Sequence, residues 1–185
     1  LDIRQEDVSV CGWAMEARIY AEDPDNGYLP STGVLHRWEA PSGPGVRVDA
    51  GVETGSEVTV HYDPMLAKVI VHADSRDAAV RRLDGALRNL VALGVVTNRD
   101  HLRRVLQHPS YQQAELHTRF LDVHADALGP AEGAERAAME AMQAAVIADW
   151  LRRPQRRLPG LRANWRSNRW RGAEFEVAVG EHRAT

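Results

Sequence analysis

Two groups of residues have the types and spacing that chemistry would need. Glu16 and Arg18 lie two positions apart, so on an extended chain both side chains leave the same face. A guanidinium offers planar, permanently charged donors suited to a carboxylate, bicarbonate, phosphate or developing enolate oxygen. The same spacing also describes an ordinary surface ion pair, and residue type does not separate the two. The second group is His61-Tyr62-Asp63-Pro64-Met65 with Lys68 beyond it, in which Asp63 is a candidate to hold the Arg18 guanidinium. Lys68 is the sole lysine among 23 basic residues, so lysine chemistry has one candidate. Phosphate loops with a lysine, nucleophile elbows, zinc-protease pairs and dinucleotide glycine fingerprints are absent. The eight histidines are scattered and read as surface or partly buried side chains, not metal ligands.

The elements that must position these residues follow from periodicity. Over residues 8–21, Ala14, Glu16, Arg18 and Tyr20 fall on one side and Met15, Ala17, Ile19 and Ala21 on the other, which predicts a half-buried strand. Residues 21–33 carry Asp-Pro, Asp-Asn-Gly and Pro-Ser-Thr-Gly turn signals and read as a loop. Extended segments at 34–39, 46–52, 56–62 and 66–72 suit an antiparallel sheet. The period then becomes helical: Ser75 is the expected N-cap, Val80, Leu83, Leu87, Leu90 and Val91 form an apolar stripe, and Gly94 is the expected stop. A second helix starts at a Thr97-Asn98 cap, turns Leu102, Val105 and Leu106 inward, and ends before Pro109. Strands followed by helices without βαβ alternation indicate an α+β domain over residues 1–125. Residues 126–185 read as a second unit, with an alanine-rich helix at 131–153 bearing Met139, Met142, Val146 and Trp150, then an incomplete antiparallel β segment.

Composition narrows the function classes. At 185 residues, 44% hydrophobic and 26% charged, the chain can bury a core. No apolar run is long enough to span a membrane, and the first residues lack the pattern of a secretion signal. The single cysteine, Cys11, cannot form an internal disulfide, which points to a reducing, cytoplasmic setting; the preference for arginine over lysine adds a bacterial source to that expectation. The chain opens on Leu1 and is expected to be part of a longer polypeptide.

Three ordered blocks carry a resemblance. Gly12-Trp13-Ala14-Met15-Glu16-Ala17-Arg18-Ile19-Tyr20-Ala21-Glu22-Asp23-Pro24, then Tyr28-Leu29-Pro30-Ser31-Thr32-Gly33, then Tyr62-Asp63-Pro64-Met65-Leu66-Ala67-Lys68 together resemble the C-terminal domain of biotin carboxylase in acyl-CoA carboxylase α subunits. The resemblance covers about residues 8–125. It implies a ligase module in which ATP and Mg2+ activate bicarbonate, and biotin on a separate carrier domain is then carboxylated. It implies that Arg18 holds the ureido oxygen of biotin as that ring becomes enolate-like, which is oxyanion stabilisation. Glu16, Tyr62 and Asp63 are then supporting residues, Lys68 a snorkelling strand residue, and Thr118 lies near the adenine by position.

The nucleotide-binding lobes and the carrier lysine of that family have no counterpart here, so the chain alone is expected neither to hydrolyse ATP nor to carry biotin. Residues 126–185 resemble the start of the linker domain, a helix wrapped by a barrel, through which such subunits meet the carboxyltransferase β subunit. The partners implied are the rest of the carboxylase subunit, the carrier domain and that β subunit. The turn Ala40-Pro41-Ser42-Gly43-Pro44-Gly45-Val46-Arg47 matches a dimer-contact turn of the family, with Pro44 where an aromatic is common. Two alternatives remain at this level: a scaffold domain in which Arg18 is structural, and nucleic-acid binding through the strip 152–171, where arginines interleave with Trp165 and Trp170. The net charge of -3 argues against the latter.

Overall fold

Alternation along the first strand sorts its residues into two environments. In β1 (Trp13–Tyr20), Ala17 and Ile19 are buried, while Ala14, Glu16 and Arg18 are exposed. The computed structural model describes residues 3–130, the helical positions 140, 141, 144 and 148, and the segments 177–179 and 182–184. In chain order β1 is followed by β2 (Glu22–Asp23), β3 (Leu29–Pro30), β4 (Gly33–Val34), β5 (Arg37–Glu39), β6 (Val46–Ala50), β7 (Glu57–Val58) and β8 (Met65–Ala73). Then come α1 (Arg76–Asn89), β9 (Val91–Leu93), α2 (Arg99–Gln107), α3 (Pro109–Gln112), α4 (Phe120–Val123) and α5 (Ala125–Leu128). The fold is α+β, with antiparallel pairing throughout the described strands.

The central sheet has the order β1-β8-β6. Register places Met15, Val71 and Val46 in one row, Ala17, Val69 and Val48 in the next, and Ile19, Ala67 and Ala50 in a third. The first two rows and Ile19 of the third share a core cluster with Ala79, Val80, Leu83, Ala86 and Leu87 of α1, whereas Ala50 at the end of β6 is exposed. Removing this apolar surface from water is the main force holding helix to sheet. Helix α1 starts where expected, with the Ser75 hydroxyl accepting from the Ala78 N–H and Asp77 in the first turn. Asp84 on α1 ties the helix to α2, accepting from Arg103 Nε and Gln107 Nε2, each at 3.0 Å.

Several boundaries differ from the sequence reading. The apolar stripe continues through Val91, but α1 ends at Asn89; Leu90 is extended, and β9 pairs with β5 from Val91 opposite Glu39 to Leu93 opposite Arg37. Gly94 follows that strand at φ +113, where a Cβ would collide with the Val34 carbonyl oxygen, so this glycine permits a chain crossing and is not a helix stop. Of the 56–62 segment only β7 is a strand, because Thr59 Oγ1 and Asp63 Oδ1 accept from the backbone of His61 and Met65 and fold the intervening residues into turns. The first strand begins at Trp13 instead of residue 8: Gly12, at φ +71, has its Cβ position only 2.6 Å from the Ala73 carbonyl oxygen. The 21–33 loop contains the β2–β3 hairpin around a 3-10 turn at Pro24–Asn26. The expected single sheet resolves into the three-stranded sheet and small two-stranded pairs.

The chain divides into two compact units, Leu1–Pro130 and Ala131–Thr185. In the second, positions 140, 141, 144 and 148 of the expected long helix are helical, and β10 (Val177–Val179) pairs antiparallel with β11 (His182–Ala184). Met139, Met142, Val146, Trp150 and the arginine strip with Trp165 and Trp170 lie outside the described residues.

Candidate functional site

The face of the sheet away from α1 carries the charges. Because pairing is in register, Arg18 on β1 stands opposite Lys68 on β8, which stands opposite Asp49 on β6. One row along, Glu16 stands opposite Ile70, itself opposite Arg47. Two cations therefore sit side by side, with carboxylates at 16 and 49 on either flank. Such cross-strand neighbours are about 5 Å apart at Cβ, close enough for like charges to favour an anion between or above them.

Arg18 Nε donates to Glu16 Oε1 at 3.0 Å, and the arginine side chain keeps 62% of its surface exposed. The Glu16 hydrogen bond and charge raise the Arg18 pKa, with a further contribution from the Tyr20 phenol, so the guanidinium stays charged throughout the physiological range. On the other flank Asp49 accepts from Arg47 at 2.9 Å; that bond, opposed by burial, holds its carboxyl below the usual range, and the charges of Arg47 and Lys68 add to it. A fixed positive face with a solvent-facing guanidinium can stabilise negative charge on a ligand oxygen.

The structure also places the other sequence-derived candidates. Glu16, not Asp63, orients the guanidinium, because i,i+2 residues of a strand project from one face whereas an aspartate in a turn bonds its own backbone. Asp63 accepts from the Met65 N–H at 2.9 Å and shapes the turn entering β8, while the neighbouring Tyr62 is 83% exposed. Lys68 is half-buried on the polar face, as a strand residue should be. Thr118 is exposed in the turn before α4.

A cleft of about 360 Å³ lies between the free edge of β1 and α2, lined among others by Tyr28, Asn98, His101, Leu102, Tyr111 and Leu121. Tyr28, at φ 59, brings its hydroxyl to 3.3 Å from His101 Nε2. Burial, then the Arg104 charge, lowers the His101 pKa; burial, then the Glu22 charge, raises that of Tyr28. Sequence reasoning missed this pair, the Arg18–Lys68 neighbour relation and Asn98. Asn98 was legible only as a helix cap, since its partners are some 80 positions away.

The biotin carboxylase C-terminal domain family matches residues 16–123, a span that takes in most of β1, all of β8 and both α1 and α2. The chain belongs to that family. Mouse mitochondrial propionyl-CoA carboxylase α chain is 41% identical over 126 residues, which is 66% of this chain and 17% of that one. Mouse mitochondrial methylcrotonoyl-CoA carboxylase subunit α is also 41% identical, over 67% of this chain and 17% of its own length. The biotin carboxylase subunit of a pyruvate carboxylase superposes with TM-score 0.68 at 38% identity, covering 71% of this chain and 29% of that one. The biotin carboxylase domain of Hydrogenobacter thermophilus 2-oxoglutarate carboxylase, solved with MgADP, ADP and bicarbonate, gives TM-score 0.68 at 36% identity, with the same coverage. This biotin carboxylase C-terminal domain thus spans about a sixth of its curated relatives. The expectation of a cytoplasmic, bacterial protein is corrected: these curated relatives are mitochondrial proteins of eukaryotes. A lone cysteine does not single out the cytoplasm, and arginine preference is compositional.

Proposed function

We propose that this chain supplies the cationic wall of a biotin-carboxylating site as the C-terminal part of a larger carboxylase α subunit. The observation that carries the reading is Arg18: permanently charged, oriented by Glu16, beside Lys68, and exposed to solvent on the sheet among the described residues. Biotin on a carrier domain, when present, supplies a ring nitrogen that accepts the carboxyl group. Arg18 would hold the ureido oxygen and stabilise negative charge as it grows there; Glu16 keeps the guanidinium aimed, and Lys68 adds to the positive potential. Tyr62 and Asp63 are given supporting roles on the family resemblance alone: Asp63 shapes the turn entering β8 and Tyr62 is exposed beside it. Among the described residues no three His, Cys, Asp or Glu side chains gather to hold a metal ion. The family resemblance assigns ATP and Mg2+ mainly to the rest of the subunit, with Thr118 as the residue of this chain in the vicinity of the adenine.

On this reading residues 1–125 act as the carboxylase domain and 126–185 as a partial linker domain toward a carboxyltransferase β subunit. The isolated chain neither cleaves ATP in a bicarbonate-dependent assay nor carboxylates free biotin; clear turnover of either would overturn that part. In a complete subunit, Arg18→Ala slows biotin carboxylation on the order of a hundredfold to a thousandfold. A wild-type rate would instead favour the scaffold reading, in which the Arg18–Glu16 pair is structural.

A further inference from the structure

We propose that Asn98 is a positioning residue for Arg18, acting as a side-chain substitute for the strand that β1 lacks on its outer edge; the inference rests on the reading of Arg18 given above. β1 is an edge strand of its sheet, with β8 on one side only. At its C-terminal end the Tyr20 N–H and the carbonyls of Arg18 and Tyr20 are turned away from β8, and Asn98 meets all three. Its Oδ1 accepts from the Tyr20 N–H at 3.0 Å, its Nδ2 donates to the Arg18 carbonyl at 3.1 Å, and its own backbone N–H donates to the Tyr20 carbonyl at 3.2 Å. The carboxamide, an acceptor and a donor on one planar group, reproduces what a peptide unit of a neighbouring strand would offer.

Three features single this residue out. Asn98 is 6% exposed and is the one buried polar or charged residue among the described residues. A buried carboxamide is costly unless satisfied, and both ends are satisfied by the backbone flanking the reactive position. Asn98 also stands at the N-cap of α2, where asparagine ordinarily caps the helix, yet its side chain makes no such bond. The capping role has been given up for the clip. Finally, the β1–β8 register shifts between Ile19 and Tyr20, so the ladder is interrupted one residue beyond Arg18. Asn98 holds the strand from the opposite side at that interruption. A charge-stabilising donor works only while its position is fixed in advance, and displacements near 1 Å can cost on the order of a hundredfold.

The test uses complete carboxylase subunits carrying Arg18→Ala, Asn98→Ala, both together, and Asn98→Asp, which keeps the acceptor for Tyr20 and loses the donor to Arg18. The readouts are kcat and KM for carboxylation of free biotin, with thermal unfolding as a check on folding. Asn98→Ala is expected to lower kcat at least tenfold with little change in KM, and to cause no further loss in the Arg18→Ala background. That non-additivity marks a residue acting through Arg18, which mere destabilisation would not produce. Should Asn98→Ala fail to fold, the same criteria apply to Asn98→Asp. An impaired Arg18→Ala with an Asn98 variant at the wild-type rate, or an Asn98 loss of equal factor in both backgrounds, overturns the positioning role alone. A wild-type rate for Arg18→Ala overturns the functional reading itself.

Discussion

The two faces of the central sheet are built from alternate residues of the same three strands, yet they are held by different forces. Toward α1, the row Ala17–Val69–Val48 packs into the apolar core with Leu83 and Leu87. On the far side, Arg18–Lys68–Asp49 is a row of charges at the surface, where solvent screens each pair. The comparison teaches that stability and chemistry are separated by one residue step along β1. Ile19 supports the fold and contributes no reactive group; Arg18 supplies a charge and little folding energy.

The largest effect that would sharpen this contrast is on folding. Ile19 is fully buried, so Ile19→Ala should destabilise the first unit by about 2–5 kcal/mol in urea unfolding, from lost transfer energy and an uncollapsed cavity. Arg18→Ala, one residue away, should move the urea midpoint far less. Equal losses from the two would break the separation of faces.

Next comes the polar staple on the apolar side. Burial pushes the Asp84 carboxyl upward, but hydrogen bonds from Arg103, Gln107 and Arg88 and the Arg103 charge outweigh it, leaving the net pKa lowered. A folded pKa below the unfolded value adds stability that is present above the ordinary aspartate pKa of about 3.9, and that is lost as pH falls through the lower folded value. Asp84→Asn should cost about 1–2 kcal/mol at neutral pH. It should also flatten the acid limb of the stability profile below about pH 4 relative to wild type. An unchanged acid limb would mean that the staple does not couple α1 to α2. The smallest effect belongs to the α1 cap: Ser75→Ala should lose about 1 kcal/mol, read by the same unfolding assay, with no change in carboxylation by a complete subunit.

Much of the scaffold was legible because burial imposes a period. The alternation of 13–20, the Ser75 cap and the stripe at Val80, Leu83 and Leu87 all recur in the structure. The end of α1 was not legible, because Leu90 and Val91 continue the apolar pattern while strand pairing with Arg37–Glu39 decides their conformation. The Arg18–Glu16 pair followed from local spacing. Its neighbour Lys68 and the Asn98 clip depend on register across 50 to 80 positions, which no local pattern encodes. Residue type alone makes Asp63 a partner for Arg18, whereas a turn aspartate satisfies its own backbone first.

The most direct test of the central claim is to measure, on one preparation of a complete subunit carrying Arg18→Ala, both the biotin carboxylation rate and the unfolding midpoint. The account predicts a rate lower by about a hundredfold or more, with a midpoint shift smaller than that of Ile19→Ala. An unaltered rate, or a rate loss explained by a midpoint that falls as far as in Ile19→Ala, would contradict it.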